Sequence, residues 1–95
     1  MKKNVKNLNQ VSSETKSAIR TYMRLCEKFK NAYFFTPPAN AQSRRSYERA
    51  NSFSYKGDGI ELDFDIDCSA RNVYVKKHCY INGDKKTVAA LKKYV

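Results

Sequence analysis

The chain has 95 residues, one histidine, three cysteines and a formal charge of +10. This length allows one small domain with one core, and no apolar run approaches the roughly 20 residues of a membrane span. The start, Met1-Lys2-Lys3-Asn4-Val5-Lys6-Asn7-Leu8, is basic but carries no apolar signal segment, so a soluble cytoplasmic protein is expected.

The charge is uneven. Residues 1–56 carry twelve Lys and Arg against three acids, a net +9, and residues 57–95 carry seven against six, a net +1. A field of this sign attracts nucleic acid, an anionic membrane or an acidic protein surface.

Residues 1–11 read as a basic, flexible lead-in, and residues 12–95 as a single α+β domain. Ser12 or Ser13 caps a helix, with Glu14 favourable to its dipole. Ala18, Ile19, Tyr22, Leu25, Cys26, Phe29, Ala32 and Tyr33 recur at steps of three and four, which predicts a helix to about Tyr33. Thr36-Pro37-Pro38 ends it. On its other face Lys16, Arg20, Arg24 and Lys28 stand four apart. Like charges at that spacing disfavour an isolated helix, so the row is either a solvated face or a surface that meets phosphates or carboxylates.

The next stretch, Tyr33 to Arg45, reads as a long loop closed by Arg44 and Arg45, and such loops are often functional. Phe34 and Phe35 either fill the core beneath it or anchor a partner. Ser46 to Tyr55 reads as a strand, with Arg49 near its start and Phe53 and Tyr55 inward. Lys56-Gly57-Asp58-Gly59 is a turn.

The stretch from Ile60 to Ile81 is the clearest in the chain. Ile60, Leu62, Phe64, Ile66 and Cys68 alternate with Glu61, Asp63, Asp65, Asp67 and Ser69, which puts the apolar side chains on one face of a strand. After Ser69-Ala70-Arg71-Asn72, read as a four-residue loop, Val73, Val75, Cys79 and Ile81 alternate likewise. Matching the apolar faces sets Ile66 opposite Val75, Leu62 opposite Cys79 and Ile60 opposite Ile81. The same register sets Asp65 opposite Lys76 and Asp63 opposite His78, pairs worth roughly 0.2–1 kcal/mol each. Lys77 is the misfit on the inner face. Asn82-Gly83-Asp84 reads as a turn and cap before a short helix, Lys85 to Val95. Lys85 and Lys86 then stand in its first turn, against the dipole, which suggests an external anion. The expected fold is a two-layer α-β-β-β-α domain, a three-stranded antiparallel meander with helices on one face.

The residue types offer little catalytic chemistry. Cys26, Cys68 and Cys79 have no paired spacing and read as buried free thiols. His78 and Cys79 point to opposite faces of their strand, which argues against zinc. The row Glu61, Asp63, Asp65 and Asp67 could hold a hard cation in a nuclease, but Lys76 and His78 already face it. No nucleophile stands beside His78. The chain reads as a non-enzymatic binder without metal or cofactor.

The order α-β-β-β-α, with Lys85-Lys86 opening the last helix before Ala89-Ala90-Leu91, resembles a double-stranded-RNA-binding domain. That resemblance implies lysine contacts to phosphates and recognition of shape. The Lys16-Arg20-Arg24-Lys28 ridge, the Tyr33 to Arg45 loop and the Glu61 to Asp67 row resemble the surfaces of small anti-CRISPR and other anti-defence proteins of phages and mobile elements. That resemblance implies an inhibitor of a host nucleic-acid-targeting nuclease complex. The expected partner is nucleic acid or a nucleoprotein complex, a Cas effector among them, and no membrane. Lys16, Arg20, Arg24, Lys28, Arg44, Arg45 and Arg49 would make the contact, Lys85 and Lys86 would extend it, and Phe34 or Phe35 would anchor a protein partner. An unpaired sheet edge leaves monomer and homodimer both open.

Overall fold

A computed structural model describes residues 11–30, 39–69 and 72–95. The elements in order are α1 (Ser13–Lys28), α2 (Ala41–Asn51), β1 (Phe53–Gly57), β2 (Ile60–Ser69), β3 (Asn72–Ile81), β4 (Asp84–Lys86) and a closing 3-10 helix (Val88–Tyr94). The strands form one antiparallel meander in the order β1-β2-β3-β4. The fold is α+β, as the residue pattern implies, with an added helix between α1 and β1 and a fourth strand; the closing helix, expected over Lys85 to Val95, is a 3-10 helix confined to Val88–Tyr94.

Ser12 caps α1, and its Oγ accepts the N–H of Thr15 at 3.2 Å. Thr15, Ala18, Ile19, Tyr22, Leu25 and Cys26 are the buried stripe of the helix. The helix ends at Lys28, five residues before the expected Tyr33. Phe29 leaves helical geometry, with φ −110° and ψ 18°, and its N–H returns to the carbonyl of Leu25. Its ring is buried against Phe64 and Tyr47. Core packing of one aromatic thus stops the helix before the prolines do. Ala32, Tyr33, Phe34 and Phe35 lie outside the described residues, as do residues 1–10 of the expected lead-in. Val11, its last residue, is buried in the core.

The largest correction concerns residues 41–51, expected as loop and strand and found as helix α2. Asn40 caps it, its Oδ1 accepting the N–H of Ser43 at 2.7 Å. Only Asn51 of this helix is fully buried, so there is little apolar period to read. The strand itself begins at Phe53, with Phe53 and Tyr55 half-buried on the inner face.

Two Gly-containing turns set the meander. Asp58-Gly59 joins β1 to β2, with φ +52° and +78°, and Asn82-Gly83 joins β3 to β4, with φ +54° and +87°. Two successive positive φ values are the tight-hairpin geometry that Asp-Gly and Asn-Gly adopt at low cost. The β2–β3 register is the expected one, including Ile66↔Val75, Leu62↔Cys79, Ile60↔Ile81, Asp65↔Lys76 and Asp63↔His78. The pairing continues to Ser69↔Asn72, so the loop is closer than the four residues expected. Lys77 is exposed, because β4 pairs only with residues 79–81 and β3 is an edge at that point.

The core lies between the inner sheet face and α1. Ile19, Tyr22, Leu25 and Phe29 pack with Leu62, Phe64 and Ile66, and Leu91 and Tyr94 of the 3-10 helix close one end. Tyr22 meets Phe64 edge-to-face at 6.3 Å. The outer sheet face carries Glu61, Asp63, Asp65 and Asp67 with Tyr74, Lys76, His78 and Tyr80.

Candidate partner interface

Successive i+4 steps drift around a helix by about 40° each, from its 3.6-residue period. The cation row of α1 therefore winds across its outer surface. Arg20 and Arg24 fall opposite the buried stripe and are exposed. Lys16 is half-buried at one flank. Among the described residues no ion pair engages Lys16, Arg20 or Arg24. Among the described residues these like charges, one turn apart, are not neutralised by an ion pair.

Lys28 has another task. Its Nζ donates to Asn51 Oδ1 at 2.8 Å and lies 5.4 Å and 5.7 Å from the ring centres of Phe29 and Tyr47. Asn51 in turn donates to the carbonyl of Tyr47. Lys28 is a clasp between α1 and α2, and only in part a surface cation.

The arginines placed by sequence on a loop and a strand stand on α2. Arg45 and Arg49, one turn apart, line a shallow cleft of about 320 Å³ with Ser52, Asp65, Asp67, Tyr74 and Lys76. The cleft opens toward the outer sheet face, whereas Arg20 and Arg24 point away from the sheet. The structure thus divides the predicted contact set between two directions. Arg44 is half-buried near Cys68.

Glu48 explains why α2 sits there. Strand β1 ends its pairing at Phe53↔Phe64, which leaves that edge of β2 without a strand neighbour beyond Phe64, while β3 pairs along the other edge. Glu48 fills the gap, accepting the N–H of Cys68 at 2.7 Å. Ser52 Oγ donates to the carbonyl of Glu48 and to Asp65 Oδ1. The sequence reading missed this contact. The available signal was Asn40 three residues before Ser43, a helix cap obscured by the two prolines ahead of it.

Lys85 and Lys86 do not open a helix. They stand on β4, where lysines are a common protection of a sheet edge. The inference drawn from a clash with a helix dipole therefore falls. Phe34 and Phe35 lie outside the described residues.

The acidic row is partly engaged. His78 Nε2 lies 3.7 Å from Asp63 Oδ2, and the His78 and Tyr80 rings are 5.0 Å apart. Among the described residues no three of His, Cys, Asp and Glu converge as metal ligands. Cys26, Cys68 and Cys79 are free and buried, as their spacing implied. Burial pushes all three thiols up, which makes them poor nucleophiles at neutral pH. The Cys79 thiol donates to the carbonyl of Lys86 at 3.0 Å. No described helix is long and apolar enough to cross a membrane.

No family model, curated protein or solved structure matches this chain.

Proposed function

We propose that the protein is a non-enzymatic binder of a polyanionic partner, nucleic acid or a nucleoprotein complex, acting through the outer surface of α1. The reading is carried by Arg20 and Arg24. They are exposed, one turn apart, opposite the buried stripe, and in no ion pair among the described residues. Cations held in this way meet phosphates through charge and release counterions on binding. Arg45 and Arg49 form a second basic site on α2, mixed with carboxylates and therefore weaker toward phosphate.

In its concrete form the proposal makes the partner a host nuclease complex that targets nucleic acid. The protein is then an inhibitor of the anti-CRISPR type, working in the cytoplasm. The resemblance of the Lys16-Arg20-Arg24-Lys28 ridge to the surfaces of anti-defence proteins supports that form. The second form is direct binding of duplex DNA or RNA through backbone phosphates.

A gel shift on random duplex DNA and RNA at two salt concentrations tests both. A shift that fades with salt and is lost in the Arg20→Glu/Arg24→Glu variant supports direct binding. No shift at low salt removes that form, and salt-sensitive inhibition of a nuclease complex by the native chain then has to be found. If the charge-reversed chain inhibits or binds equally well, α1 is not the contact surface.

A further inference from the structure

The bare edge of β3 carries an inference that goes beyond the helix surface. Residues that flank a two-residue hairpin loop exchange both main-chain hydrogen bonds. Ile81 and Asp84 flank Asn82-Gly83, so the main-chain groups of Ile81 point toward β4. That direction repeats every second residue, and Cys79, Lys77, Val75 and Val73 therefore point the same way. Strand β4 meets only Ile81, Tyr80 and Cys79. The N–H and C=O groups of Lys77, Val75 and Val73 thus face an edge that no described strand occupies.

The equivalent bare edge of β2 is closed by Glu48, which accepts the N–H of Cys68. Among the described residues nothing does the same for β3. Nor does β4 continue along it. The Cys79 thiol donates to the carbonyls of Lys86 and Thr87, and the chain passes over Cys79 into the 3-10 helix.

Charge selects what can pair there. Lys77 is exposed on the inner face, and Lys86, opposite Cys79, lies diagonally beside it on that face. Lys76 is exposed on the outer face. No ion pair engages these three lysines among the described residues. A second copy of the chain would bring +10 against +10 and set lysines along the shared edge.

We propose that Val73 to Lys77 take up an extended acidic segment of a partner protein as an added antiparallel strand, in line with β4. Main-chain hydrogen bonds hold such a strand and alternate side chains select it. Its residues opposite Lys77 and Lys76 are acidic, and those opposite Val75 and Val73 are apolar.

The test uses the full chain and the synthetic peptide Thr-Asp-Glu-Val-Thr-Val-Thr, labelled for fluorescence anisotropy. Saturable binding is expected, with slowed amide exchange at Val73, Val75 and Lys77. A peptide with Lys for both acids should not bind. Val75→Pro removes an outward N–H that faces no strand among the described residues, and Lys77→Glu reverses the selecting charge; each should weaken binding by about tenfold or more. If Val75→Pro fails to fold by circular dichroism, Lys77→Glu and the exchange pattern decide. Absence of peptide binding, protection confined to other amides, or unchanged binding in the folded variants overturns the proposal. So does a dimer in sedimentation that Val75→Pro dissolves, since the occupant is then a second copy. A duplex gel shift that Val75→Pro leaves unchanged separates this edge from the α1 surface.

Discussion

Ser12 and Asp58 stand 46 residues apart and share two hydrogen bonds: Asp58 Oδ2 accepts the Ser12 N–H at 3.0 Å and the Ser12 hydroxyl at 2.9 Å. The same oxygen accepts the Thr15 hydroxyl at 2.5 Å, and Thr15 Oγ1 lies 2.7 Å from Tyr55 OH. One turn carboxylate therefore caps the first helix from across the domain. Its position follows from the positive φ that Asp58 adopts in the β1–β2 hairpin. Asp58→Ala removes the acceptor and leaves Thr15, which is fully buried, without that partner. Thr15 keeps Tyr55 as a partner, and a loss of about 1–3 kcal/mol is expected from the hydrogen bonds to a charged acceptor that Ser12 and Thr15 give up. Urea unfolding should show a lower midpoint with an unchanged slope; a midpoint equal to that of the native chain would remove Asp58 from the helix cap.

Glu48 offers a second check on the same principle. Its carboxylate continues, by a side chain, the ladder that β1 leaves unfinished at Cys68. Glu48→Ala should expose the Cys68 amide to exchange and cost about 1–3 kcal/mol. If Cys68 exchanges no faster in the variant, α2 is held at the sheet edge by Tyr47, Lys28 and Ser52 and not by Glu48.

How much of this was legible in the residues follows from what each element buries. Strand β2 has one face in the core and one in water, and its alternation fixes the register to the residue. Charge matching across Asp65 and Lys76 points to the same pairing. Helix α2 buries only Asn51 and rests Tyr47 on the core, so no apolar period announces it. Strand β4 is three residues long and wholly exposed, and its lysines read equally well as a helix start. The Arg20 and Arg24 surface was legible because α1 has a full apolar stripe to oppose. The split between that surface and the α2 cleft was not, since Arg45 and Arg49 depend on where α2 lies.

The buried acids of the core give a pH dependence with a definite sign. Burial raises the Cys26 and Cys79 thiols and the Tyr22 phenol above their usual values. A group that ionises more easily in the unfolded chain contributes stability below its unfolded pKa and loses it as pH rises above that value. For thiols that loss begins near pH 8.5, and for phenols near pH 10. The melting temperature should therefore fall steadily between about pH 8.5 and 11. Tyr22→Phe should flatten the upper part of that fall. A melting temperature constant to pH 11 would contradict the burial of these groups.

Lys28 and Arg24 are adjacent members of one sequence row with different environments, and the difference can be measured. Lys28 joins Asn51 and lies near two rings, whereas Arg24 meets no described partner. Lys28→Ala should lower stability by about 1–2 kcal/mol, from one charge-assisted hydrogen bond and partial cation–π contact. Arg24→Ala, at an exposed site free of such contacts, should stay within about 0.5 kcal/mol of the native value. It removes one like-charge neighbour of Arg20, which offsets any loss. Partner binding should respond in the opposite order: Arg24→Ala weakens it and reduces its salt dependence, while Lys28→Ala changes it less. Chemical denaturation and a salt-titrated gel shift on the two variants give both orders. If stability and binding fall together in Lys28→Ala and neither changes in Arg24→Ala, the contact surface lies at the α1–α2 junction instead of the outer face of α1.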